Sequence, residues 1–261
     1  MHLLDRTYGW LEAWLTAPGK GPSSVATCDP TQLAAALKPG DVILLEGTSR
    51  VSAAIKYLTH STWSHSALYT GPIPGRVQAD GEPDVIVEAE LGLGIFSSPL
   101  SRYFNCHTRI CRPVGLEPAD VAKLIAYAIS RLGGTYDTRN VIDLMRYLLP
   151  HPPVPGRWRR KMIALGSGSP TQAICSTLIA QAFEHVGYPV LPEIELLHPN
   201  PGEHVSRADL RAIKARRLEI LRIRHHSLYT PSDFDTSPYF QVIKPTVEAG
   251  FDYHALQWHK G

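Results

Sequence analysis

Cys175 stands second in the tetrapeptide Ile174-Cys175-Ser176-Thr177, at the head of an apolar run with helical spacing. A thiol at a helix N-terminus feels the positive end of the helix dipole and unpaired backbone N–H groups, both of which favour thiolate. Far upstream, Ser61-Thr62-Trp63-Ser64-His65 leads into a short strand. An imidazole brought beside the sulfur would complete an ion pair and make it a nucleophile at neutral pH. Between them, Glu88 closes the apolar strand Val85-Ile86-Val87-Glu88. A carboxylate there is costly unless it reaches solvent at a sheet edge or meets a partner such as imidazole. Nucleophile, base and acidic orienter are the parts of a cysteine-hydrolase triad. Glu90 shares the face of Glu88 by period-2 alternation, so spacing alone leaves both open for the third role. Taken singly, each residue has a plainer reading. A free cysteine is most often a buried structural thiol, and His65 is one of twelve histidines. Only the combination suggests chemistry.

The elements that would hold these residues can be read from periodicity and punctuation. Residues 3–16 place Leu4, Tyr8, Leu11 and Leu15 at helical spacing, and 19–24 read as a linker. Asp29-Pro30 is an N-cap and N1 pair for a short helix ending near Lys38. Pro39-Gly40 turns the chain into a buried strand at 41–45, and Ser49 caps a helix carrying Val51, Ala54, Ile55 and Leu58. A strand starts at His65, and a Pro/Gly-rich loop runs from Gly71 to Pro83. Strands follow at 85–88 and 92–96, the second the hairpin partner of the first, and again at 108–112. An amphipathic helix over 117–131 stops at Gly133-Gly134. A second helix spans 139–149, and the Cys175 helix runs to about His185 with Leu178, Ala182 and Phe183 on one stripe. A polar, proline-bearing stretch leads to a basic helix near 207–216, and 238–243 read as a closing strand. Short strands with helices at their margins predict an α+β fold.

Bulk composition narrows the function. The chain has 261 residues, 44% hydrophobic and 19% charged, enough for one large domain or two small ones. A net charge of +2 lacks the concentrated basic surface that nucleic acid requires, so no nucleic-acid partner is expected. Four cysteines, irregularly spaced, make neither a disulfide framework nor a paired metal site. Cys106-His107 and Cys111 have no second ligand pair at metal spacing and read as packing residues of a strand, so no metal is expected. Neither a signal peptide nor an apolar run long enough to span a bilayer is visible, and the expected location is cytoplasmic.

The order His65, Glu88, Tyr136, Cys175 resembles the circularly permuted branch of the NlpC-type papain-like cysteine hydrolases, the YiiX/YebB-like group. The matching stretches are Pro39-Gly40-Asp41-Val42-Ile43, Thr59-His60-Ser61-Thr62-Trp63-Ser64-His65, Val87-Glu88-Ala89, Leu132-Gly133-Gly134-Thr135-Tyr136-Asp137 and Ile174-Cys175-Ser176. The tail Tyr229-Thr230-Pro231-Ser232-Asp233-Phe234 resembles the family's closing segment. The resemblance runs from about residue 39 to 244. It implies a permuted papain-like fold, with a central antiparallel sheet and the nucleophile on a helix N-terminus. Residues 1–38 would be a helical extension and 39–261 the hydrolase domain, with a helical and basic insert at about 140–170. It assigns Cys175 as nucleophile, His65 as base and Glu88, at the Glu-Ala position, as orienter. Tyr136 would line the site, with Ser64 and Ser176 as further substrate-binding candidates. Thr177 departs from the glutamate that many relatives carry after Cys-Ser.

The implied activity is acyl-thioester chemistry on an amide or peptide bond, without metal or organic cofactor. An alternative is a lipid-directed acyl hydrolase or acyltransferase of the lecithin–retinol acyltransferase-like type. Its motivation lies in residues 140–165, where Met145, Tyr147, Leu148, Leu149 and Trp158 accompany Arg157, Arg159, Arg160 and Lys161, a composition suited to peripheral membrane contact. A catalytically inactive binding module is the third reading. The expected partner is a small peptide, amide or lipid substrate.

Overall fold

The computed structural model describes residues 17, 26–90, 92–134, 174–191, 193–196, 219–222 and 229–255. Asp29 caps α1 (Pro30–Ala36), accepting from the Thr31 N–H, with Pro30 at the first helical position where its missing N–H costs nothing. Gly40, at φ 94°, takes the turn into β1 (Val42–Leu45), whose four residues are all buried. Ser49 caps α2 (Arg50–Thr59). There follow β2 (His65–Tyr69), β3 (Ile86–Glu90) and β4 (Gly94–Ser98), then a 3₁₀ turn at Leu100–Tyr103, β5 (Thr108–Pro113) and α3 (Pro118–Ser130). The Cys175 helix is α4 (Ile174–His185). Two strands, β6 (Glu193–Leu196) and β7 (Glu219–Arg222), pair with each other. The chain closes through α5 (Pro231–Thr236), β8 (Phe240–Ile243), α6 (Pro245–Glu248) and a 3₁₀ turn at Tyr253–Ala255.

Six strands form one sheet in the order β4-β3-β2-β1-β5-β8, every adjacent pair antiparallel. Alternation along the strands splits the core in two. Val42, Leu44, Leu68, Val87, Ala89 and Cys111 face one side, where they meet Leu124 and Ala128 of α3, Leu178, Ala182 and Phe183 of α4, and Phe234 of α5. Ile43, Leu45, Ala67, Ile86 and Ile110 face the other, covered by Leu33 and Leu37 from α1 and its C-cap, and by Leu100 and Tyr103 of the 3₁₀ turn. This is a mixed α+β architecture around an antiparallel sheet, as the short-strand pattern predicts.

The strands differ from expectation in two places. β6 and β7 were not anticipated, because the polar stretch after Pro192 hides a pair whose partners lie far apart in sequence. Cys106 and His107 precede β5 rather than lying in it, and only Cys111 is a buried strand residue. The expected helices at 3–16, 139–149 and 207–216, the 19–24 linker, Tyr136 and the whole insert at about 140–170 lie outside the described residues. Among the described residues, no helix is long and apolar enough to cross a membrane.

Candidate active site

His65 is the first residue of β2, where the sheet opens. The β2–β3 pairing registers Leu68↔Val87 and Tyr69↔Ile86 and stops there. Continued, that register would set Ser66 against Ala89 and His65 against Glu90, but the strands part before reaching them. Helix α4 packs against both β2 and β3. Its first turn places the Cys175 sulfur beside His65 and Ser66, at the mouth of the split. The site is therefore made by a sheet that fails to stay paired and a helix that points its positive end at the opening.

The imidazole of His65 is polarised from behind. Its Nε2 lies 2.8 Å from Glu88 Oε2, leaving Nδ1 as the ring nitrogen for the sulfur. Glu88 is fully buried. Tyr103 donates its phenolic hydroxyl to the same Oε2, Ser98 Oγ donates to Oε1 at 2.5 Å, and Arg102 Nε approaches Oε1 to 3.8 Å. A carboxylate with this many donors is satisfied as an anion. Burial pushes its pKa up, yet the hydrogen bonds and charge of His65, with Ser98 and Tyr103 behind, hold it below the usual carboxylate range. The phenol of Tyr103 moves well upward through burial and the Glu88 charge, so it stays protonated and remains a donor.

The nucleophile and base shift in opposite directions. Burial opposes the charged form of each, and the mutual attraction of sulfur and imidazole overcomes it. His65 rises well above 6.5 through Cys175 and Glu88, while Cys175 falls below 9.0 through His65 and the N–H and hydroxyl of Ser66. Elsewhere burial drives the thiols the other way, Cys111 up to about 12 and Cys28 above its ordinary value.

Glu90, the competing carboxylate, sits 2.8 Å from Arg102 Nη2 at the rim. It belongs to the guanidinium and not to the imidazole. Ser64 and Ser176, expected to meet substrate, are instead buried and turned to the main chain. Ser64 Oγ accepts from the Gly47 N–H at 2.8 Å, and Ser176 Oγ donates to the Tyr229 carbonyl at 2.9 Å. Their neighbours explain it: both lie in tight junctions where an unpaired backbone group would be expensive. Ser98, Arg102, Tyr103 and Ser66 were not picked out from sequence. The signal for the first three was the need of a buried carboxylate for donors, since Ser97-Ser98 end the hairpin strand and Arg102-Tyr103 follow it closely.

Ligand atoms of His65, Glu88 and Glu90 lie within 4.8 Å of one another, close enough to consider a metal ion. The donor set argues otherwise, because Arg102 already supplies the cation to both carboxylates and Glu88 is filled by Tyr103, Ser98 and His65. A metal there would have to displace hydrogen bonds already made.

No protein-family model matches the sequence, and no curated protein matches it. Among solved structures, the crystal structure of the metalloprotein yiiX from Escherichia coli O157:H7 is a structural neighbour. It aligns with a TM-score of 0.44 at 18% identity, over 80% of this chain and 97% of its own.

Proposed function

We propose that this protein is a cysteine hydrolase that cleaves an amide or peptide bond through an acyl-thioester, with Cys175 as nucleophile, His65 as general acid–base and Glu88 as orienter. The observation that carries the reading is the hydrogen bond of His65 Nε2 to a buried, donor-saturated Glu88 while the imidazole also meets the sulfur of Cys175. In acylation the thiolate attacks the carbonyl carbon, and the amine leaves with the imidazolium proton. In deacylation water gives a proton to His65 as its oxygen attacks, the C–S bond breaks, and its electron pair returns to sulfur. The resting ion pair is restored. The backbone N–H of Cys175, at the start of α4, is placed to stabilise the oxyanion.

Isolated, the two groups would never form this pair, since an imidazole of pKa 6.5 is neutral before a thiol of 9.0 ionises. The opposed shifts both favour the imidazolium–thiolate pair. Limiting iodoacetamide should therefore alkylate Cys175 at mildly acidic pH, ahead of Cys28, Cys106 and Cys111, and His65→Ala should push the onset toward that of an ordinary thiol. A panel of peptide, ester and phospholipid substrates with Cys175→Ala as control then identifies the bond cleaved. Preferential labelling of another cysteine, or indifference to His65→Ala, would sink the proposal.

A further inference from the structure

Among the described residues, Ser66 Oγ is the one buried side-chain oxygen or nitrogen without a conventional hydrogen-bond partner. Ser66 is fully buried on the α4 side of the sheet, flanked across the strands by Leu44 and along β2 by Leu68. An unsatisfied hydroxyl is unfavourable there, and alanine would occupy the place without that penalty. What faces it is the sulfur of Cys175. The even-numbered residues of β2 turn their N–H groups toward β3, as the bond from Thr70 N–H to the Val85 carbonyl shows. Beyond Leu68 the ladder has ended, so the Ser66 N–H has no strand partner in β3 and turns toward the opening where Cys175 sits.

We infer that Ser66 is a catalytic residue: its hydroxyl and backbone N–H form a two-donor seat for the Cys175 thiolate, opposite His65. This rests on the cysteine-hydrolase reading and adds a second support for the sulfur charge, one that does not titrate. Among the described residues, the titratable groups facing the sulfur are otherwise His65, with Glu88, Tyr103 and Arg102 behind it. During acylation the sulfur becomes a neutral thioester and the hydroxyl loses its anionic acceptor. When the C–S bond breaks in deacylation, the electron pair returns to sulfur and the hydroxyl donates again. Ser66 therefore favours the resting thiolate and the departure of sulfur from the acyl-enzyme.

The test uses the full chain with iodoacetamide and p-nitrophenyl acetate as probes, followed by intact-protein mass spectrometry. In Ser66→Ala the pH midpoint of Cys175 alkylation should rise by about one unit, the effect of one lost hydrogen bond to a charged acceptor. Hydrolysis of the acetyl-enzyme should slow, while the melting temperature stays level or rises. Ser66→Thr, which keeps the hydroxyl, should retain the wild-type profile. A wild-type profile in Ser66→Ala overturns the inference and leaves the triad intact. So does a Ser66→Ala chain that fails to fold while Ser66→Thr folds, since the hydroxyl would then be a packing group. A wild-type Cys175 that alkylates like an ordinary thiol, indifferent to His65→Ala, removes the cysteine-hydrolase reading and this inference with it.

Discussion

A carboxylate with no exposed surface needs every lone pair answered, and Glu88 has three donors and a nearby guanidinium. That is why Glu88 and not Glu90 is the partner of His65. The two share a face, but Glu90 lies at the rim where Arg102 and solvent can satisfy it. Glu88→Gln would keep the volume, remove the charge that supports imidazolium, and leave the phenol of Tyr103 facing an amide. Turnover on whichever substrate the panel identifies should fall by roughly 10²–10⁴-fold, the scale of general acid–base contributions. Glu90→Gln removes a half-exposed ion pair and should cost no more than about 1 kcal/mol in barrier, since such pairs contribute little. Equal losses in the two variants would reverse the assignment.

Elements hold these residues through features only partly legible in the chain. Asp29-Pro30, Ser49, Gly133-Gly134 and the apolar run at 85–88 are local signals, and they placed α1, α2, α3 and β3 within a few residues. The parting of β2 from β3 is not local, because it depends on where α4 docks, and no spacing near His65 encodes it. Nor does spacing show that Ser64 serves as an acceptor for the Gly47 N–H, which ties the β1–α2 connection to the start of β2. Gly47 is required by close approach. A Cβ there would lie 2.2 Å from Ser52 Oγ and 2.9 Å from Ser64 Oγ. Relief means moving Ser64, the residue before His65, or unseating Ser52 from its bond with the α2 cap Ser49. Gly47→Ala should therefore lower stability by about 1–3 kcal/mol, the usual overpacking penalty, and reduce Cys175 alkylation at acidic pH. Chemical denaturation alongside labelling checks both, and a variant of wild-type stability and reactivity would show that the junction yields freely.

Across the whole molecule the site is assembled from two distant stretches. His65, Glu88, Ser98, Arg102 and Tyr103 come from one continuous run, and Cys175 arrives from beyond α3 on a helix seated by Phe183 against Phe234 and Phe240. That helix was legible because its apolar stripe is local; its position against the split sheet was not. Bringing imidazole and thiol together also ties stability to pH. Taken singly, a raised His65 contributes stability below 6.5 that is lost as pH rises through its folded value. A lowered Cys175 contributes stability above 9.0 that is lost as pH falls through its folded value. The two titrate as a pair, so protons must be counted over both. Between 6.5 and 9.0 the unfolded chain holds one proton, on the thiol, and with the proposed ion pair the folded chain also holds one, on the imidazole, so the contribution is flat. Below 6.5 the unfolded histidine takes up a proton that the folded pair does not, and stability falls. Above 9.0 the unfolded thiol loses a proton that the folded imidazolium keeps, and stability falls again. Glu88, held below 4.5, adds a further loss on the acid side as pH falls through its folded value. Urea midpoints of the wild type should therefore exceed those of a His65→Ala/Cys175→Ala double variant by the widest margin near pH 7.5, with the margin shrinking toward pH 5 and toward pH 10. A margin that changes in one direction only across that range would mean that folded imidazole and thiol do not share their proton as an ion pair.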